Sequence, residues 1–253
     1  MAAFVIVPGG CTPPAIFQEF CDLAKGQGIV VVTIKLPTVG RQLGQPAPRI
    51  GDDVQEICQV VEPLLDEGQD VILVTSSLGG VVGTQCLEFL SSTSRASRGK
   101  RGGVEKIVYV TSMILEVNTS PMDFFGANPP PFMNITDEIE YIEWTDEIDD
   151  GTKTFSDLPR EEARKQRAKM DRFHSRHSFE NKLTYPGYRD VSVHYVLCEE
   201  DQVLTKAAQL GLIESLKRLT GGEIAIHRIS AGHLPFVSRP GETLQLLREI
   251  ANS

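Results

Sequence analysis

The chain has 253 residues, 41% of them hydrophobic and 23% charged, a balance ordinary for a soluble globular domain. Its 34 acidic side chains against 25 basic ones leave a formal net charge of −9, which lacks the basic footprint that nucleic acid requires. No apolar run approaches the roughly 20 residues of a membrane-spanning helix. The five cysteines are scattered and odd in number, with neither CxxC pairing nor metal-ligand spacing. The opening residues 1–8 have no basic region ahead of their short apolar run, unlike a secretory leader. The expected setting is therefore the cytoplasm, with free thiols and with no metal, cofactor, nucleic acid or membrane as partner. A homodimer is left open.

Residues 4–7 form an apolar run that stops at Pro8-Gly9-Gly10, and residues 29–36, 71–74 and 107–110 are three more, rich in Val and Ile. Between them, residues 14–25, 54–65 and 80–90 carry apolar side chains at helical spacing. Strands alternating with helices of this length predict a mostly parallel central sheet flanked by helices, an α/β fold. Residues 91–103, rich in Ser, Arg and Gly, read as a solvated loop.

The alternation breaks after Met113. Pro129-Pro130-Pro131, an acidic run over 137–150 and a basic helical stretch over 159–173 follow. It resumes with strands over 193–197 and 224–229, a helix over 206–219, and a last helix entered through Pro240. The expected division is a core of residues 1–115 and 190–253 with 116–189 inserted over the carboxyl ends of the strands, where ligands of parallel sheets sit. The whole is one domain.

Val74-Thr75-Ser76-Ser77-Leu78-Gly79-Gly80 carries a strand through a sharp turn straight into a helix. A nucleophile elbow needs small residues two before and two after the serine, because strand and helix nearly touch there. For Ser77 these are Thr75 and Gly79; for Ser76 they would be Val74 and Leu78, both bulky. Ser77 is the candidate nucleophile, with Thr75 where such motifs have glycine. Acyl transfer also needs N–H donors for an oxyanion. The residue after the nucleophile, Leu78, supplies one, and Gly10 in the loop after the first strand is placed for the other.

Of the five histidines, only His233 lies on a loop at the carboxyl end of the last strand. His194 and His227 fall in strand patterns, and His174 and His177 read as a solvated helix face in the inserted region. Glu199-Glu200-Asp201 follows the preceding strand and offers three acids for the role of orienting the imidazole. Chemistry alone does not choose among them.

These segments resemble small microbial α/β-hydrolases of the AB hydrolase-1 type, related to plant esterases and hydroxynitrile lyases. The resemblance runs through 4–9, Leu36-Pro37-Thr38-Val39-Gly40, the elbow, 103–110, Asp157-Leu158-Pro159, 195–201 and Ala231-Gly232-His233. It implies the α/β-hydrolase fold, a helical cap over 116–189, Asp201 as the acid and Gly10 as an oxyanion donor. Leu234 stands where hydroxynitrile lyases place a lysine, which argues against that chemistry.

The expected enzyme hydrolyses a small ester, lactone or polyketide-like molecule through Ser77, His233 and Asp201. Cys11, Phe125, Phe132, Trp144 and Pro235 are expected to line its pocket. Alternatives are the same triad serving as a lyase, cyclase or acyl transferase on a secondary metabolite, and a non-catalytic ligand receptor on this fold.

Overall fold

The computed structural model describes residues 2–126 and 139–253. Six strands form one parallel sheet: β1 (Ala3–Val7), β2 (Val31–Thr33), β3 (Val71–Ser77), β4 (Lys106–Ser112), β7 (Ser192–Cys198) and β8 (Ala225–Ile229). Their order is β2-β1-β3-β4-β7-β8. The alternation of side chains along each strand divides the core into two layers. Val5, Val7, Leu73, Ile107 and Tyr109 face one layer with α2 (Ile50–Asp66), α3 (Gly79–Leu90) and α8 (Lys206–Thr220). Phe4, Ile6, Ile72, Val74, Val108 and Val110 face the other with α1 (Gln18–Gly26) and α10 (Pro240–Ala251). Burial on both faces explains why these strands read as unbroken apolar runs.

Two local expectations are corrected. Residues 91–103 are not simply a solvated loop: α4 (Ser92–Ser97) lies within them, and Arg95 is fully buried. Its guanidinium is held by Asp66 at 2.5 Å and by the carbonyls of Arg101 and Gly102, so the charge enters the interior with its partners. Between residues 116 and 189 lie the short helices α5 (Pro121–Phe125), α6 (Arg160–Arg167) and α7 (His177–Glu180). A two-stranded antiparallel ribbon, β5 (Tyr141–Glu143) with β6 (Phe173–Ser175), accompanies them, so the segment is not wholly helical. It joins the carboxyl ends of β1 and β2 through Asp171 N–H to Cys11 O, Ser175 N–H to Thr38 O, and Gly40 N–H to Phe173 O.

Where β3 turns into α3 the packing is tightest. A Cβ on Gly79 would lie 2.4 Å from the carbonyl oxygen of Val7, and one on Gly80 2.3 Å from that of Met113. One turn on, a Cβ on Gly83 would lie 2.4 Å from the Thr75 methyl. Glycine at 83 therefore makes room for threonine at 75, whose hydroxyl bonds Ser112 Oγ at 2.9 Å. Gly83→Ala should cost about 2 kcal/mol through overpacking. In a Thr75→Ser background, which removes the methyl and keeps the hydroxyl, the same change should cost under about 0.5 kcal/mol. Urea unfolding of the four proteins measures this coupling, and additive costs would refute the contact.

Candidate active site

The elbow is built on backbone strain. Ser77 has φ 51°, in the left-handed region, and the pairing of β3 with β4 shifts register between Ser76 and Ser77. The neighbouring strand ends the same way, with Thr111 at φ 41°. Between them Met113 N–H donates to Ser77 O at 2.9 Å, tying the two strand ends together. Ser76 is buried and its hydroxyl has no partner among the described residues, whereas Ser77 is partly open and lines a cavity of about 70 Å³. That volume has room for a few water-sized molecules.

Gly9, rather than Gly10, is the residue the turn cannot replace: a Cβ there would lie 2.7 Å from Ser77 Cβ. At Gly10 the nearest atoms would be ordinary contacts, Phe179 Cζ at 3.8 Å and Leu78 Cδ2 at 3.9 Å. Both Gly10 and Leu78 line the cavity beside Ser77. Among the described residues no acceptor takes the N–H of either. Two N–H donors beside a hydroxyl suit an oxygen that gains negative charge.

His233 lines the same cavity from the loop after β8. The preceding glycine is closely surrounded: a Cβ at 232 would lie 3.0 Å from the backbone nitrogen of Ser156 and would displace the Asp157 carboxylate and Ser156 hydroxyl. His233 Nδ1 stands 2.7 Å from Asp201 Oδ2. Of the three adjacent acids, Asp201 is buried while Glu199 pairs with Lys206 and Arg228 at the surface and Glu200 is exposed. Asp201 Oδ1 accepts the N–H groups of Val203 at 2.7 Å and Leu204 at 2.9 Å. Burial works to raise this carboxyl, but His233, Thr111 and the Leu204 N–H outweigh it and hold it below the ordinary value. Among the described residues no hydrogen bond joins His233 to Ser77, although the two share the cavity. Such bonds are often long before substrate arrives.

Thr111 is the participant that sequence reasoning missed. Its hydroxyl donates to Asp201 Oδ2 and lies 3.2 Å from His233 Nδ1. A threonine at the end of a buried strand carries no motif, and only the sheet order, which sets β4 beside β7, brings it to Asp201.

Of the expected pocket residues, Cys11, Phe125 and Trp144 line the cavity, and Phe132 lies outside the described residues. Pro235 does not line it. As the first residue of the short helix α9 (Pro235–Ser238), it is packed inward, and its carbonyl accepts from Thr243 and Arg239. Leu234 takes the place at the wall, joined by Met113, Met170, Phe179, Val203 and Arg167.

His174 also departs from expectation. It is fully buried on β6 rather than on a solvated helix face. Cys11, itself left-handed at φ 56°, donates its N–H to His174 Nδ1 at 3.3 Å. Burial pushes the imidazole down to about 3 from 6.5, so it stays neutral and serves as an acceptor for the loop next to Gly10.

A family model described as the alpha/beta hydrolase family matches residues 4–246. The chain belongs to that family. A relative named "Probable hydrolase R7" from a Phoma species is 30% identical, spanning 98% of this chain and 97% of its own. Among solved structures, polyneuridine aldehyde esterase superposes with a TM-score of 0.76 at 20% identity, covering 99% of each chain. The methylesterase MES16 from Arabidopsis superposes at 0.74 and 17% identity over 100% of each chain.

The His174 environment makes a pH prediction. Between about 6.5 and 3 the unfolded chain binds a proton at this residue that the folded chain does not, so stability present at neutral pH is lost on acidification. The slope from this group is about 1.4 kcal/mol per pH unit. His174→Gln keeps an acceptor for Cys11 and removes the charge. Urea unfolding at pH 7 and pH 5 should show the variant losing about 2 kcal/mol less than wild type. Parallel losses would refute the assignment.

Proposed function

We propose that the protein hydrolyses a small ester or lactone by a serine mechanism, with Ser77 as nucleophile, His233 as base and Asp201 as its partner. The observation that carries this reading is the buried 2.7 Å contact of His233 Nδ1 with Asp201, on the cavity that Ser77 lines from its strained turn.

A proton on Nδ1, donated to the carboxylate, leaves the Nε2 lone pair free to act as base. Ser77 Oγ attacks the carbonyl carbon as Nε2 takes its proton. The N–H groups of Gly10 and Leu78 hold the oxyanion, each supplying roughly 3 kcal/mol. Collapse breaks the carbon–oxygen bond of the ester, and the imidazolium protonates the departing alkoxide. Water, deprotonated by the same nitrogen, then attacks the acyl-enzyme and frees the acid with Ser77 restored. Thr111 acts as a positioning residue: its hydroxyl fills the remaining lone-pair direction of Asp201 Oδ2 and keeps that oxygen turned toward the ring. Residues 116–189 serve as the cap, bringing Phe125, Trp144 and Phe179 over the cavity as an apolar wall for the substrate.

The alternative outcomes, lyase, cyclase or acyl transfer, differ in what consumes the acyl-enzyme. Thr75, which set this chain apart at the elbow, is fully buried and bonded to Ser112, away from the cavity walls, so it gives no ground for preferring them.

Ser77→Ala should lower kcat on short p-nitrophenyl esters by about 10³-fold or more. In heavy-oxygen water one label should enter the released acid. Unchanged turnover in Ser77→Ala, or unlabelled product, would overturn the reading. Thr111→Val should lower kcat about tenfold with KM little changed, and Thr111→Ser should restore most of the loss. Equal loss in both variants would leave the hydroxyl without a role.

A further inference from the structure

Arg167 presents an arrangement that the triad chemistry does not use. It closes α6, is only 5% exposed, and lines the cavity with Ser77 and His233. Its Nε donates to Asp149 O at 3.2 Å, Nη1 to Asp171 O at 3.5 Å, and Nη2 to Trp144 O at 2.5 Å. A guanidinium has five N–H groups in a fixed fork. Those three bonds leave one N–H on each terminal nitrogen.

Among the described residues no carboxylate oxygen makes an ion-pair contact with this guanidinium, whose partners are the three carbonyls. Asp149 is taken by the N–H groups of Gly151, Lys153 and Thr154, and Asp171 accepts from Phe173 N–H. The exposed arginines of the same segment do pair, Arg164 with Asp150 and Arg172 with Glu143. The contrast is informative because surface pairs contribute little, whereas a buried cation without a counter-charge is costly. Apart from Thr12, Thr154 and the Ser77 and His233 side chains, the wall is apolar, with Met113, Phe125, Trp144, Met170, Val203 and Leu234 in it. A buried cation whose described partners are all carbonyls, set in a mainly apolar wall, is the recognition pattern for an apolar molecule bearing an anionic oxygen group.

We propose that Arg167 is the specificity determinant of this cavity, and that the substrate is an apolar ester or lactone carrying a carboxylate. The carboxylate accepts the two remaining N–H groups of the fork while the apolar body lies against the aromatic wall. The inference rests on the hydrolase reading for the reaction, but binding tests it separately.

The probes are hexanoate and its neutral analogue hexanamide, titrated calorimetrically into wild type, Arg167→Gln and Arg167→Lys, with turnover of neutral p-nitrophenyl butyrate measured on the same proteins. Wild type should bind hexanoate at least tenfold more tightly than hexanamide. Arg167→Gln, which keeps a donor for the surrounding carbonyls, should abolish that preference. Arg167→Lys should keep part of the preference, and it decides the matter if the Gln variant fails to fold. Equal binding of the two probes by wild type would overturn the proposal. So would loss of both probes together in the variants, which is the result of Arg167 merely holding the segment in shape. Absence of ester turnover with the hexanoate preference intact would sink the hydrolase reading and leave the anion site standing.

Discussion

The left-handed backbone at Ser77 is what the architecture around the site has to support. A serine at φ 51° is costly, and it persists because its surroundings leave the chain no other course. Gly9 lies against the Ser77 side chain, Gly79 against the carbonyls of Val7 and Pro8, and Gly80 against that of Met113. Strand β1, strand β4 and helix α3 therefore close on the turn from three sides with no Cβ between them. The hydroxyl is left at the cavity, and among the described residues the N–H of the next residue, Leu78, has no acceptor. Strain, helix packing and an N–H facing the cavity region thus arise from one piece of geometry.

The electrostatic half of the site depends on burial of a different kind. Asp201 receives two N–H groups on one oxygen, and the Thr111 hydroxyl and the His233 ring on the other. With every lone-pair direction answered, the carboxylate stays ionised although the interior opposes its charge. His174 shows the opposite solution: with one long N–H contact and full burial, it is held neutral and acts as an acceptor. The same principle makes Arg167 stand out, since its three carbonyl partners satisfy donors without cancelling charge.

Much of this was legible in the residues. Unbroken Val and Ile runs gave strands because both sheet faces are covered, and the small residues around Ser77 marked the elbow because they are sterically required. What stayed hidden depends on non-local placement. Thr111 meets Asp201 only because β4 lies beside β7, and His174 reaches Cys11 only because β6 folds back over the first loop. The segment between 91 and 103 misled because its polar residues suggest solvent, whereas Arg95 turns inward to meet Asp66 and two carbonyls. Pro235 misled for a related reason. Proximity in sequence to His233 does not place a side chain at the same wall, and Leu234 occupies it instead.

The contact between the Thr75 methyl and Gly83 also constrains how such a sequence can have arisen. With glycine at 75, position 83 is free to hold alanine, the better helix former. Once threonine occupies 75, a side chain at 83 is penalised, so threonine is tolerated best in a chain that has glycine there. The second substitution then entrenches the first. A pair of residues eight apart is thereby coupled: the methyl at 75 has to go before the helix can take alanine at 83 without cost.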